Sequence, residues 1–380
     1  MELLHRINSL PLLRQHGIPE YLKHVCLITI VDELDNVPVF HQKHPWLSIG
    51  HIALVDGQPT GHYTYKLGEK NTTVPVGDLT SLFNLSHLEK IIITPKNDVY
   101  AQIPGALCRI LAPIGIRNFY VYSQEQLKVI SKRIDPHFLN KNFHALNRVY
   151  SLLADEASRD VFAARIKAVI TGDPSYLPIA GHPEYFHPVV YLEAGDILID
   201  GGISDNVDVQ IKFAKAVGES GKIYGFEPIP DMFNIAKLIL SAYPQYQINC
   251  EGLASRKGKT NFTQLGDSSH ISNTLTNTVE CEITSIDEFV QENELEKVDC
   301  IKLDIEGAEF AALLGARKTI KRFKPKLIIC LYHKNEDLFE LPAFIKKLAP
   351  EYNQYIAHSS YHFIDTILYA KASDQTARLA

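Results

Sequence analysis

The chain has 380 residues, 46% of them hydrophobic and 22% charged, with a formal net charge of -6. That length sets an expectation of two domains, and the composition excludes a disordered or fibrous chain. The acidic balance argues against nucleic acid as the main partner, because phosphate binding wants a basic surface.

The first stretch, "MELLHRINSLPLLRQHG", carries charges and a proline where a signal peptide needs an apolar block. Nowhere does an apolar run approach the roughly 20 residues of a membrane span. Buried strands are expected at 24–31, 51–55, 91–94 and 118–122, with a crossover helix over 98–116. This alternation predicts a small α/β domain over residues 1–123. Its first strand leads into no glycine loop, so the domain is read as a degenerate nucleotide-binding-like unit, suited to docking or to forming a homodimer. Residues 124–190 have helical spacing, many charges and then a proline-rich turn, and read as a helical connector. The histidines at 41, 44, 182 and 187 have no cysteine or acid cluster beside them and are read as loop or surface residues. Cysteines stand at 26, 108, 250, 281, 300 and 330, with no C-x-x-C pair and several inside apolar runs. They read as buried thiols of a reducing, cytoplasmic compartment.

From 191 to 380 strand and helix patterns alternate regularly. Strands are expected at 197–200, 222–227, 247–253, 300–304 and 326–333, and a helix places Val209, Phe213 and Val217 on one face before Gly218. The tail, "YIAHSSYHFIDTILYA" (355–370), holds two apolar runs joined by a polar turn. They should pair antiparallel, since a parallel return needs a long crossover.

The stretch "ILIDGGISDNVD" (197–208) ends a strand on Asp200 and turns at Gly201 and Gly202, where the missing Cβ lets the backbone approach a ligand. Ser204, Asp205 or Asn206 is placed to cap the next helix. One strand later, "KIYGFEPIP" puts Glu227 where a carboxylate holds the two hydroxyls of a ribose. G-x-G-x-x-G and G-x-x-x-x-G-K-[ST] are both absent. An adenosine cofactor without phosphate explains the set, and S-adenosylmethionine is such a cofactor, with a cationic head suited to a nearby aspartate. A third segment, "VDCIKLDIEGAEF" (298–310), gathers Asp304, Glu306 and Glu309 around Gly307 at a strand end, more acid than helix capping needs.

In order and spacing, "ILIDGGISDNVD", "GFEPIPDMF", "ITSIDEFV", "VDCIKLDIEGAEF" and "IICLYHKNED" resemble the FkbM-type methyltransferases, over roughly residues 150–370. The loop differs in carrying Asp205 where the family pattern ends on glycine. The resemblance implies a Rossmann-like class I methyltransferase fold, S-adenosylmethionine as methyl donor, and a sugar, glycan or secondary-metabolite hydroxyl as acceptor. On this reading Asp200 lies near the methionine head, Glu227 on the ribose, and Leu253 beside the adenine; Gly201, Gly202, Ser204 and Asn206 complete the cofactor loop. Asp304 sits between donor and acceptor, and His333 is the candidate base because its ordinary pKa suits neutral pH. Glu306 holds acceptor hydroxyls or caps the helix, and Glu309 caps it. No metal is assigned, with a divalent ion on Asp304 and Glu306 as the alternative. The rival readings are an NAD-dependent oxidoreductase and a non-catalytic methyltransferase-like binding module.

Overall fold

The computed structural model describes residues 2–9, 14–16, 23–29, 34–55, 61–85, 88–94, 119–123, 136–171, 176–203, 207–263, 278–359 and 364–373. The crossover helix expected over 98–116, and the loop residues Ser204, Asp205 and Asn206, lie outside them. Two compact units are present: residues 4–133 with 164–178, and residues 1–3 with 134–163 and 179–380.

The first unit contains a seven-stranded sheet of β1 (Arg14–His16), β2 (His24–Thr29), β3 (Ser48–Leu54), β4 (Gly61–Leu67), β5 (Lys70–Asp78), β6 (Glu89–Thr94) and β7 (Phe119–Ser123). Their order is β1-β7-β6-β2-β3-β5-β4, parallel except for the β4–β5 hairpin. Val25, Leu27, Phe40 and Ile52 pack in its core. The expected runs at 24–31, 51–55, 91–94 and 118–122 fall on β2, β3, β6 and β7.

The second unit carries the other sheet, built from β8 (Ile197–Gly201), β9 (Lys222–Phe226), β10 (Tyr246–Asn249), β14 (Cys300–Leu303), β15 (Lys326–Cys330), β16 (Tyr352–His358) and β17 (Thr366–Ala372). The order β10-β9-β8-β14-β15-β17-β16 is parallel through the first five strands, and β17 runs antiparallel to both β15 and β16. Numbered within this sheet alone, the order is 3-2-1-4-5-7-6, so the tail hairpin forms as expected. All residues of β14, β15 and β17 are buried, as strands covered on both faces must be. Leu198, Phe213, Val217, Ile223, Tyr246 and Tyr369 share one core cluster. The single strand expected at 247–253 is instead two. β10 ends at Asn249, and β11 (Gly252–Leu253) joins a separate three-stranded sheet with β12 (Gly258–Thr263) and β13 (Thr278–Thr284).

Helices flank this sheet. Asp208–Val217 buries Phe213, Ala214 and Val217 and stops at Gly218, whose φ is +65°. Its N-cap is Val207, which makes no side-chain cap bond. In the "ITSIDEFV" segment Ser285 accepts from the Glu288 N–H at 3.2 Å and donates its hydroxyl to the Glu288 carboxylate at 2.6 Å, closing the start of helix Ile286–Glu292. Asp287 reaches away to accept the N–H of Thr319 at 2.8 Å, tying down the start of helix Arg317–Phe323. Among the described residues no helix is long and apolar enough to cross a membrane.

Candidate active site

Strand register brings three loop starts to one edge of the second sheet. Gly201 pairs with Phe226 on one side and Leu303 on the other, so Gly202, Glu227 and Asp304 leave the sheet together. Ligands bind beyond such strand ends in open α/β sheets. Gly202 has φ +86°, and a Cβ there would fall 1.7 Å from the Asp304 carbonyl oxygen. No side chain fits. The glycines thus let the first loop lie directly against the fourth.

A cleft of about 290 Å³ opens at this edge. One end is apolar, walled by Phe226, Pro228, Met232, Leu253 and Phe262, with Glu227 among them. Glu227 accepts the Ile229 N–H at 2.8 Å. Burial pushes its carboxyl up to about 7, against the opposing pull of the Ile229 and Ile203 amides and the Lys302 charge.

The other end is polar, lined by Glu184, Tyr185, Asp304, Glu306, Tyr332 and Asp365. Asp304 is clamped there. The Tyr185 hydroxyl donates to its Oδ2 at 2.8 Å, the Tyr332 hydroxyl to its Oδ1 at 2.8 Å, and the His333 ring lies 3.4 Å away. Burial alone would raise this carboxyl, but Lys302, His333 and the two hydroxyls more than offset it and hold it below its ordinary value. Between the two ends sits Lys302, its side chain 2% exposed. Its Nζ lies 3.1 Å from Asp200 Oδ1 and donates to the carbonyls of Gly201 at 3.0 Å and Gly202 at 2.7 Å. Burial opposes that charge, yet Asp200 and Asp304 raise its pKa.

Residues 199–371 match the family model of the methyltransferase FkbM domain. This part of the chain is similar to an FkbM methyltransferase domain. The crystal structure of a methyltransferase FkbM from Methylobacillus flagellatus aligns with a TM-score of 0.58 at 19% identity, covering 97% of this chain and 98% of that one. That likeness shows the fold, a Rossmann-like class I methyltransferase architecture. Fibrillarin from Aeropyrum pernix, solved with natively bound S-adenosyl-L-methionine, aligns at a TM-score of only 0.31 and 14% identity, over 47% of this chain and 67% of that one. No curated protein matches the chain.

Within this part of the chain, Glu227, Gly202, Leu253, Asp304 and Glu306 line one cleft, as their positions in sequence suggested. Asp200 does not. It is fully buried, receives hydrogen bonds from the Tyr246 hydroxyl and, at 3.4 Å, the Gln210 amide, and pairs with Lys302. A carboxylate that deep must be satisfied internally, so Asp200 anchors the lysine under the loop and does not face a ligand head. Gly201 likewise packs inward, where a Cβ would meet Leu253 at 2.9 Å.

His333, the candidate base, is not among the residues that line the cleft. Its side chain is 5% exposed, with Glu309 Oε1 2.9 Å from Nδ1 and Asp304 and Glu306 oxygens 3.4 and 3.6 Å from Nε2. Burial alone would lower its pKa; the bonds to Glu306 and Glu309 and the charges of Glu309 and Asp304 lift it to about 10. With acids against both ring nitrogens, His333 offers no open nitrogen to an acceptor proton. Glu309 is fully buried and accepts the N–H groups of Ile305 at 2.9 Å and Gly307 at 3.3 Å. It shapes the loop in which Glu306 and Gly307 take φ of +53° and +94°. Among the described residues no group of three or more His, Cys, Asp or Glu is arranged to hold a metal ion.

Of the histidines expected in loops or on the surface, His41 is buried in helix Asn36–Lys43, and His187 lies in a loop but is buried. His41 accepts from the Tyr65 hydroxyl at 2.7 Å and donates to the Leu47 carbonyl at 3.0 Å. His187 stacks on Tyr369 at 4.8 Å, and burial pushes its pKa down to about 4. Their apolar neighbours come from distant strands, which local sequence does not reveal. Sequence reasoning also missed Glu184, Tyr185, Lys302, Tyr332 and Asp365. Lys302 and Tyr332 were in view beside Asp304 and His333. Glu184 and Tyr185 belong to "GHPEYFHP", a segment that reads as a spacer.

Proposed function

We propose that the FkbM-like domain is an S-adenosylmethionine-dependent O-methyltransferase acting on a hydroxyl of a sugar, glycan or secondary metabolite. The observation that carries this reading is the divided cleft, with an apolar slot holding one carboxylate at one end and acids with tyrosine hydroxyls at the other. Glu227 suits a ribose diol, and Phe226, Leu253 and Phe262 suit an adenine face. The glycine turn faces Asp304, not a phosphate, which fits a cofactor without one. When bound, S-adenosylmethionine supplies a methyl group activated for in-line displacement.

The chain's own residues then position the partners, which supplies most of the catalysis in such a displacement. Asp304, fixed by Tyr185 and Tyr332, orients donor and acceptor. Glu306 accepts hydrogen bonds from acceptor hydroxyls, and His333 holds Glu306 and Asp304 in place. The free, buried thiols of Cys26, Cys281, Cys300 and Cys330 support a reducing, cytoplasmic setting.

The test is incubation of the full chain with methyl-tritiated S-adenosylmethionine and a panel of methyl glycosides and hydroxylated metabolites. Label that stays on the product through mild alkali marks a methyl ether and supports the reading. Label released by alkali as methanol marks a carboxyl ester and overturns O-methylation of a hydroxyl.

A further inference from the structure

Resting on the cofactor reading above, we propose that Glu184 is the base that takes the acceptor proton, and that a sulfonium cofactor in this cleft first strips Glu184 of its own proton. Glu184 lines the polar end together with Asp304, Glu306, Tyr332 and Asp365. Three other candidates there are committed. Both oxygens of Asp304 accept tyrosine hydroxyls, Glu306 leans on His333 at 3.6 Å, and the two His333 ring nitrogens are enclosed by Glu309, Asp304 and Glu306.

Around Glu184 stand Asp365 ahead of β17 and Tyr369 on it, Asp304 and Lys302 at the β14 edge, Cys330 at the end of β15, and the neighbouring Tyr185. Burial, then the charges of Asp365 and Asp304, push the Glu184 carboxyl up to about 7, while Tyr185 and Lys302 pull it down. A positive charge placed at this end favours the ionised form, so Glu184 loses its proton to solvent. In the transfer, the acceptor O–CH3 bond forms as the S–CH3 bond breaks, and the hydroxyl proton passes to Glu184. A sulfonium and a carboxylate become a thioether and a carboxylic acid, so the cleft carries the same net charge before and after. With the demethylated product bound Glu184 holds the transferred proton, and exchange for fresh donor shifts it back toward the ionised form.

The experiment is isothermal titration of the full chain at pH 7 with S-adenosylmethionine and with S-adenosylhomocysteine, each in phosphate and in Tris. The amino-acid head is common to both ligands, so the difference isolates the sulfonium. Wild type should release about half a proton more with the sulfonium ligand, since a group titrating near 7 is about half protonated at that pH. Glu184→Gln should still bind S-adenosylmethionine and lose that excess. Asp365→Asn, which removes one of the raising charges, should diminish the excess at pH 7 and move it to lower pH. Equal release with both ligands overturns the proposal. So does an excess that survives in Glu184→Gln and vanishes in Glu227→Gln. Binding of neither ligand overturns the cofactor reading itself.

Discussion

Both units build a seven-stranded sheet that is parallel apart from an antiparallel edge, yet they treat buried polar groups differently. In the first, such groups close on nearby chain. His41 bridges Tyr65 and the Leu47 carbonyl, and the Lys90 Nζ donates to the carbonyls of Leu85 at 3.0 Å and Leu88 at 2.6 Å. In the second, Lys302 joins residues about 100 positions away and forms part of an open cleft. After β8 the chain continues Gly202-Ile203; after β2 it continues Ile30-Val31-Asp32, without glycine. Only the glycine turn permits the loop-on-loop contact that presents charge to a ligand. A shared sheet plan therefore carries no chemistry until its strand ends are furnished.

The largest expected effect tests the buried pair. Lys302→Met leaves Asp200 uncompensated at 0% exposure and should cost about 3–5 kcal/mol in urea unfolding of the second unit. Unchanged stability would show that the pair does not hold the unit together. Next comes Gly202→Ala, expected to cost at least about 2 kcal/mol, because strain at φ +86° adds to the collision with Asp304. Gly218→Ala is its control. That site has φ +65° and ψ −169° with nothing within 4 Å of an added methyl, so about 1–3 kcal/mol is expected from backbone strain alone, without the collision.

A third prediction concerns pH. His333 is raised from 6.5 to about 10 in the folded chain. Its stabilising contribution is full below the unfolded pKa and is lost as pH rises through about 10. Wild type should therefore lose a few degrees of Tm between pH 7 and 10 that His333→Gln does not lose. A parallel loss in the variant would assign the effect elsewhere. The smallest effect belongs to the first unit. His41→Phe should cost about 1–2 kcal/mol through the hydrogen bonds left unmade, and should leave S-adenosylmethionine affinity unchanged. A loss of affinity there would mean the division of labour between the units is wrong.

Much of the second sheet was legible because its strands are continuous apolar runs closed by Asp, Glu or Gly, and because Gly201 and Gly202 punctuate a strand end. The hairpin of β16 and β17 followed from chain length alone. Within the site, Glu227, Asp304 and Glu306 could be named because they follow strands that pair in register. The roles of Asp200 and His333 could not be read. Whether a carboxylate faces a ligand or a buried lysine depends on Lys302 and Tyr246, 102 and 46 positions away, and the charge of His333 depends on three acids folding around it. Glu184 and Asp365 lay in turns with no periodic pattern, so only the folded cleft identifies them.

In the proposed function, the cleft at the β8, β9 and β14 strand ends holds an adenosyl sulfonium through Glu227. Isothermal titration of the full chain with S-adenosylmethionine, with NADH as the control ligand, tests it most directly. Micromolar binding of S-adenosylmethionine alone, weakened roughly tenfold to a hundredfold in Glu227→Ala, is the predicted result, matching the loss of a charge-assisted hydrogen bond. Binding of NADH instead, or S-adenosylmethionine binding indifferent to Glu227, would contradict it.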